Sequence, residues 1–395
     1  MSRRAAKQPF VSVVMAVRDA ERHISRAVDS VLTQDCPDIQ LVVADRASRD
    51  GTLRILTGIA EREISLDVVA CDDADEAAAL DAAVAAARGR YVLVMEQDDW
   101  LAPHALAALT RALTAGDLQL GIMALSIDTY VGHGERISQM LDVPLSATSS
   151  SAAFRAAAAP LIEEGMLSLL KGKALLRSRI DALGLRMALC ASQVSYLASY
   201  LEDVARVAVV PEAVYHATAV PEGAELAGGA GLARRERDHE RLLDLIASWH
   251  MEDDRTLSGA VHRLHLRQIV AAIERIVLAR GISSIERTER VRDILEAPST
   301  QRTIQALDKG KGPVGLMYRL VARRNVMGCC LGAHIGKLAR VSHLPLARHP
   351  LSMLGLLQGS APRFCAAFPP AHLICLLTDV YAGILRDNIH DSALF

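Results

Sequence analysis

The chain has 395 residues, of which 51% are hydrophobic and 23% charged, with a formal net charge of −2. That length excludes one small module and implies two or three domains; the composition excludes a disordered chain, and the charge excludes a general polyanion binder. Aromatics are only 4%, so the core must come from Ala, Val, Leu and Ile, and the seven Cys form no C-x-x-C pair. Reduced thiols in a cytosolic protein are expected from that usage.

In chain order, 11–17 (VSVVMAV) reads as a buried parallel strand. The run before Arg18-Asp19 lacks a small-residue cleavage site, so a strand is expected there rather than a signal peptide. Residues 20–34 have helical spacing at Ile24, Ala27, Val28, Val31 and Leu32, with Asp19 as the expected N-cap. A second strand, 40–44, ends at Asp45; Ser48-Arg49-Asp50-Gly51 turns into a helix near Thr52. Strand 66–70, an Ala-rich helix over 75–88 stopped by Gly89, and strand 91–95 follow. Alternation of this kind predicts a doubly wound, mostly parallel α/β sheet whose ligand sits at the carboxyl ends of the strands, where Asp45 and Glu96-Gln97-Asp98-Asp99 fall. Further on, a helix is expected over 103–114, a strand over 119–127 and a loop or weak helix over 146–159. Helices are then expected over 173–185 and 192–203, and a strand over 205–210. The Ala- and Gly-rich stretch beginning at 217 reads as a linker, and everything beyond it is helical: about 234–248, 255–280 and 286–296. The expected organisation is a domain over 1–216, a linker over 217–233, a helical domain over 234–308, and a basic, apolar helical segment over 309–395. His262 and His265, three apart, are expected on a helix surface.

Charge is unevenly spread. Lys309 to Thr378 contains no Asp or Glu but nine basic residues, which leaves residues 1–308 acidic. Met317, Leu320, Val321, Met327, Leu331, Ile335 and Leu338 recur at helical spacing there. Three uses compete with an ordinary helical domain: docking on an anionic inner leaflet, binding an anionic polymer, or packing in a homo-oligomer against the acidic part. Aromatics are too sparse there for base stacking, so nucleic acid is not an expected partner. No stretch reads as a membrane span; the best candidate, 366–385, contains Pro369, Pro370, His372 and Asp379.

The segments VSVVMAVRDAERHISRAVDSVLTQDCPDIQLVVADRASRDGT, RGRYVLVMEQDDWLAP, KALLRSRIDALGLRM and VPEAVYHAT occur in this order over residues 10–218. Together they resemble family-2 glycosyltransferases of the GT-A fold; the residues after 218 are not covered. The resemblance implies a nucleotide-sugar donor across the strand ends, a divalent cation (Mg²⁺ or Mn²⁺) on the acidic loop, a carboxylate base for the acceptor hydroxyl, and inversion at the anomeric carbon.

Carried over residue by residue, Glu96 and Asp98 fall on the two metal-loop acids, and Asp99 on the adjacent acid that orients sugar or acceptor. Asp45 matches the first Asp of the family's V-D-D and is expected on the nucleotide; the second Asp is Arg46 here. Arg18 replaces the first-loop Tyr, and Leu80-Asp81 stands where Arg-Asn is usual, so Arg18, Arg46 and Asp81 complete the expected donor contacts. His216, beside the end of the last strand, is weighed as a metal ligand against a structural histidine. The family's base pair aligns with Ser192-Gln193, and Gln193 cannot take a proton at neutral pH. Three readings remain open: another base (Asp99, Asp128, Glu163, Glu164 or His216), an acceptor that arrives deprotonated, or a catalytically inert binding subunit. The expectation carried forward is metal-assisted transfer to a surface-polymer or secondary-metabolite acceptor, in the cytoplasm or on the inner face of the membrane.

Overall fold

The computed structural model describes residues 8–341, apart from 37, 73–74, 132–134, 142, 144, 146, 220–228, 280 and 309–315. The elements of the first part are β1 (Val11–Val17), α1 (Ile24–Leu32), β2 (Ile39–Arg46), α2 (Thr52–Ala60), β3 (Leu66–Cys71), α3 (Glu76–Ala86), β4 (Tyr91–Val94) and β5 (Trp100–Leu101). They continue with α4 (Ala105–Ala115), β6 (Leu120–Val131), β7 (Glu135–Leu141), α5 (Ser151–Glu163), β8 (Lys173–Leu176), α6 (Arg177–Ala182), α7 (Gln193–Leu201) and β9 (Val207–Thr218). Single 3₁₀ turns lie at Met166–Ser168 and Met187–Leu189.

Among the described residues the strands form one sheet in the order β3-β2-β1-β4-β8-β6-β9-β5, with β7 paired to β6. β1 is parallel to both β2 and β4, in registers that set Val17 beside Asp45 and Val14 beside Val94. The carboxyl ends of β2, β1 and β4 therefore lie side by side, and the loops leaving them share one edge. β1 and β2 are buried almost throughout, which is why their sequences are unbroken Val-rich runs rather than alternating ones. A polar pin fixes their opposite ends. The Ser12 hydroxyl donates to Gln40 Oε1 at 2.6 Å, and the Gly89 amide donates to the Ser12 oxygen at 2.9 Å. A Cβ on Gly89 would stand 2.5 Å from the Ser12 backbone nitrogen, so no larger residue fits this approach.

Several expectations are corrected. Residues 173–185 are not one helix. Lys173–Leu176 form β8, antiparallel to β4 and β6, before the short α6 begins. Lys, Ala and Leu favour helix locally, but two strands bury this stretch on both edges and decide its conformation. Gly172, at φ +70°, turns the chain into it. Ser151–Glu163 is a full helix, with Phe154, Leu161 and Ile162 buried and the Ser150 hydroxyl accepting from the Ala153 amide. Asp19 caps nothing: it sits at φ 48°, and α1 starts at Ile24. The short β5 and the exposed β7 carried no recognisable strand signal.

The remaining helices are α8 (Gly229–Ser248), α9 (Arg255–Leu278), α10 (Ser284–Glu296), α11 (Pro298–Asp308), α12 (Leu316–Ala322) and α13 (Val326–Val341). α8 starts inside the stretch read as a linker. By contact the chain divides into two units, Met1–Pro221 with Arg241–Leu257, and Glu222–Glu240 with Ser258–Phe395. The second has its own core, in which Ile273, Ile276, Val291, Leu295, Val321 and Cys329 are buried. Each such aliphatic side chain contributes about 1.5–3 kcal/mol by leaving water. The apolar stripe of the basic segment serves this core at Met317 and Val321, whereas Met327 is exposed. Residues 342–378 of that segment lie outside the described residues. His262 and His265 are not surface groups: His265 is buried, and both meet His239, itself buried. Among the described residues no helix is long and apolar enough to cross a membrane.

Candidate functional site

The loops after β1 and β2 are laced together by the side chains of the SRDGT turn. The amides of Asp19, Ala20 and Glu21 donate to Ser48 Oγ, Thr52 Oγ1 and Asp50 Oδ2 at 2.8–3.0 Å. In return the Arg49 amide donates to Asp19 Oδ1 at 2.7 Å, and the Gly51 amide to Glu21 Oε2 at 3.0 Å. These short polar residues are thus committed to loop geometry, and they hold the rim on which Asp45 sits.

Asp45 is buried, at 2% exposure. Its Oδ2 accepts the Ser48 amide at 3.1 Å, while Oδ1 is enclosed without a hydrogen-bond partner among the described residues. An orphaned carboxylate oxygen at a strand end costs free energy unless a ligand's donor completes it. Arg46 leans on Glu76 at 3.1 Å. The Arg18 amide donates to Gln97 Oε1 at 2.8 Å, which joins the first loop to the acidic loop after β4. The Arg18 guanidinium turns to Asp19 at 3.6 Å.

The acidic loop holds a cation that no motif announced. Lys171 Nζ lies 2.7 Å from Glu96 Oε2 and 3.2 Å from Asp99 Oδ2, with 12% of its side chain exposed. Asp99 is saturated: Oδ2 also accepts the Tyr215 hydroxyl at 2.7 Å, and Oδ1 accepts the Thr218 amide at 2.7 Å. Burial pushes the Asp99 carboxyl up against the opposing pull of Lys171. Burial also lowers the Lys171 ammonium, but Glu96 and Asp99 outweigh it and hold this group above the ordinary lysine value. Lys173, fully enclosed next door, donates to the Lys171 carbonyl at 3.1 Å. Burial, helped by Lys171, brings Lys173 down to about 7. The Asp98 carbonyl accepts from Arg26 Nη2 at 2.6 Å, so a second cation meets the loop from α1.

Three expected site residues serve other ends. His216 Nδ1 lies 3.0 Å from Asp128 Oδ2, and its ring stacks on Trp100 at 3.6 Å between centroids. Asp128 also accepts from Ser138 at 2.7 Å, from Ser126 at 3.1 Å and from Trp100 Nε1 at 3.2 Å. Burial lowers His216, with Asp128 opposing. The Asp81 carboxylate accepts the Met187 and Ala188 amides at 2.7 and 3.0 Å, and so holds the 3₁₀ turn ahead of α7. Gln193 Oε1 accepts the Leu170 amide at 3.3 Å. Gln193, expected from the resemblance at the base position, thus steadies the loop that presents Lys171.

The side chains as they stand do not fit the divalent cation expected from the resemblance. Glu96 Oε2 carries an ammonium, both Asp99 oxygens are taken, and His216 Nδ1 is turned to Asp128. Among the described residues no three His, Cys, Asp or Glu converge as a metal group. A dication on Glu96 would meet the Lys171 ammonium at contact range, where like charges repel strongly. Sequence reading missed Lys171, Arg26 and Tyr215. Lys171 stands two residues ahead of the matched segment, and Arg26 lies on a helix face.

Residues 12–145 match the model of the family described as Glycosyl transferase family 2. The succinoglycan biosynthesis protein ExoO of Rhizobium meliloti is 29% identical over 132 residues, 33% of this chain and 37% of that protein. The O-antigen biosynthesis protein RfbC of Myxococcus xanthus is 36% identical over 136 residues, 34% of this chain and 11% of that one. This chain therefore spans well under half of either relative. Among solved structures, Staphylococcus aureus TarS 1-349 in complex with UDP-GlcNAc superposes with a TM-score of 0.55 at 14% identity, covering 84% of this chain and 92% of that one. That likeness establishes the GT-A fold.

Proposed function

We propose that the chain, whose residues 12–145 match the glycosyl transferase family 2 model, moves a sugar from a nucleotide-activated donor to an acceptor in cell-surface polymer or secondary-metabolite synthesis, with inversion. The observation that carries this reading is the unpartnered Oδ1 of Asp45 at the end of β2, on the same sheet edge as Glu96 and Asp98. β1 alone separates β2 from β4, so the two carboxylate stations stand roughly 10 Å apart across the strand ends. A nucleoside donor group completing Asp45 leaves the diphosphate over the acidic loop and its cations. The relatives named for succinoglycan and O-antigen biosynthesis support the polymer acceptor. The cytoplasmic side is the place this reading gives to a nucleotide-sugar reaction.

Each residue then has a task. Asp45 recognises the nucleoside, Lys171 and Arg26 balance the acids of the loop, and Asp99 with Tyr215 fixes where that loop stands. Gln193 holds Leu170. No carboxylate occupies its place to deprotonate an alcohol, so an acceptor that arrives as a phosphate or carboxylate anion suits this site best.

The test is titration with UDP-, GDP- and dTDP-sugars while following thermal stability, because a native-state ligand must raise the unfolding temperature. One donor should raise it, and Asp45→Ala should abolish the shift. The saturation of Asp99 and the amide at Gln193 favour one second reading, a non-catalytic glycosyltransferase-like subunit. A donor-induced shift without turnover of that donor on any acceptor would favour it.

A further inference from the structure

We infer that the Lys171 ammonium is the counter-cation for the donor's diphosphate, so that this chain captures its nucleotide without a divalent metal. The inference rests on the nucleotide-sugar reading above and names the group that meets the phosphates. Four observations place Lys171 in that role. Its ammonium is already within 3.2 Å of both Glu96 and Asp99, the loop acids at the carboxyl end of β4. Its backbone is fixed on both sides: the Leu170 amide is held by Gln193 Oε1, and Gly172 follows at φ +70°. Only 12% of the Lys171 side chain is exposed, whereas 43% of Glu96 is, so of the pair Glu96 is the more readily given up to solvent. Lastly, the loop's other cation, Arg26, is spent on the Asp98 carbonyl, the Thr218 hydroxyl and Tyr130, which leaves Lys171 as the group that can turn from carboxylate to phosphate.

The charge arithmetic agrees. Glu96 and Asp99 pair with Lys171, and Arg26 stands on the Asp98 carbonyl, so the loop with its two cations carries less negative charge than a bare acidic loop. A dication would be needed to admit a diphosphate to the bare loop; here side chains do most of that work. Lysine suits the task because its ammonium is a compact, rotatable point charge on a flexible stem, able to exchange an oxygen of Glu96 for one of phosphate.

The experiment measures binding of UDP, GDP and dTDP to the full chain by calorimetry, in EDTA and again with Mg²⁺ or Mn²⁺. The wild type should bind at least one of them with an affinity that changes less than about threefold between the two conditions. Lys171→Met should weaken that binding in EDTA by about tenfold or more, and added Mg²⁺ or Mn²⁺ should recover part of the loss. Because Lys171→Met leaves Asp99 without its ion pair, Glu96→Gln provides a milder companion. It frees the ammonium from its more exposed partner and should keep or tighten metal-free binding. Binding that appears only with Mg²⁺ or Mn²⁺ and disappears in Glu96→Gln overturns the inference while leaving the nucleotide-sugar reading intact. Absence of binding by all three nucleotides in both conditions overturns both.

Discussion

The Tyr215 hydroxyl donates to Asp99 Oδ2 at 2.7 Å, and the Glu96 amide donates to the same phenolic oxygen at 3.2 Å. One buried tyrosine on β9 thus ties both ends of the acidic loop to the far strand of the sheet. Tyr215→Phe removes the hydroxyl and leaves two buried groups short of a partner. A loss of about 1–3 kcal/mol in unfolding free energy is expected. Asp99→Ala strips Lys171 of a buried partner as well and should cost about 3–5 kcal/mol. Urea denaturation of the two variants checks the order. Equal and small losses would show that the loop does not depend on this anchor.

Asp81 matched a donor-binding position, but its carboxylate is filled by two backbone amides of the turn at Met187–Leu189. Asp81→Ala should therefore destabilise the fold by about 1–3 kcal/mol and leave nucleotide affinity within about threefold of wild type. Denaturation and calorimetry on the same preparation separate the two effects. A tenfold loss of affinity with no loss of stability would restore the donor-contact role.

Much of the fold was legible in the sequence because its central strands are buried on both faces. VSVVMAV and QLVVA are short, Val-rich runs between turn signals, the pattern of buried strands, and β1 and β2 fall where they predict. β8 was not legible. Its residues favour helix locally, and only pairing with β4 and β6, far away in sequence, overrides that preference. The site divides the same way. The sequence pattern places Asp45, Glu96 and Asp98 at or just past strand ends, and there the structure sets them. Lys171 escaped because its importance comes from a contact across 75 residues of chain. The surface expected for His262 and His265 failed for a related reason. Their spacing fits an exposed face equally well, and only packing against His239 and Thr303 reveals a polar layer inside the helical unit.

Gln193, which the resemblance sets at the base position, holds the Leu170 amide through Oε1. Gln193→Glu preserves that acceptor while restoring a carboxylate. If the site is otherwise intact, transfer to an alcohol acceptor should rise by about 10²–10⁴, the usual contribution of a positioned general base. Transfer to an anionic acceptor should stay nearly flat, since no proton has to leave. Rate measurements with the two acceptor types decide the matter. An alcohol rate unmoved by the substitution would point to the non-catalytic subunit.

The helical unit carries a pH liability of its own. His239 Nε2 lies 3.1 Å from His262 Nδ1, its ring stacks on His265 at 4.0 Å, and His265 Nδ1 lies 2.8 Å from Thr303 Oγ1. The neighbouring acids are engaged elsewhere, Glu236 with Ser299 and Glu240 with Arg302. Burial first, and then the adjacent imidazoles, lower His239 to about 2 and His265 to about 4; burial also lowers His262. Unfolded histidine titrates near 6.5. Above about pH 6.5 neither state binds these protons, and the stability of the neutral cluster is fully present. As pH falls below that value the unfolded chain takes up protons that the folded one refuses, so stability declines. Each histidine contributes a slope of about 1.4 kcal/mol per pH unit. The decline continues until the folded-state values, about 4 for His265 and about 2 for His239, are reached. His239 and His265 together give a slope of roughly 3 kcal/mol per pH unit, and His262 adds to it, enough to remove much of an ordinary domain's stability by pH 4. Helical circular dichroism during urea titrations between about pH 7.5 and pH 5.5 measures it. His239→Met, which fills the space without a titrating group, should cut the slope by about 1.4 kcal/mol per pH unit. A slope unchanged by that substitution would mean that the cluster opens to water before it takes a proton.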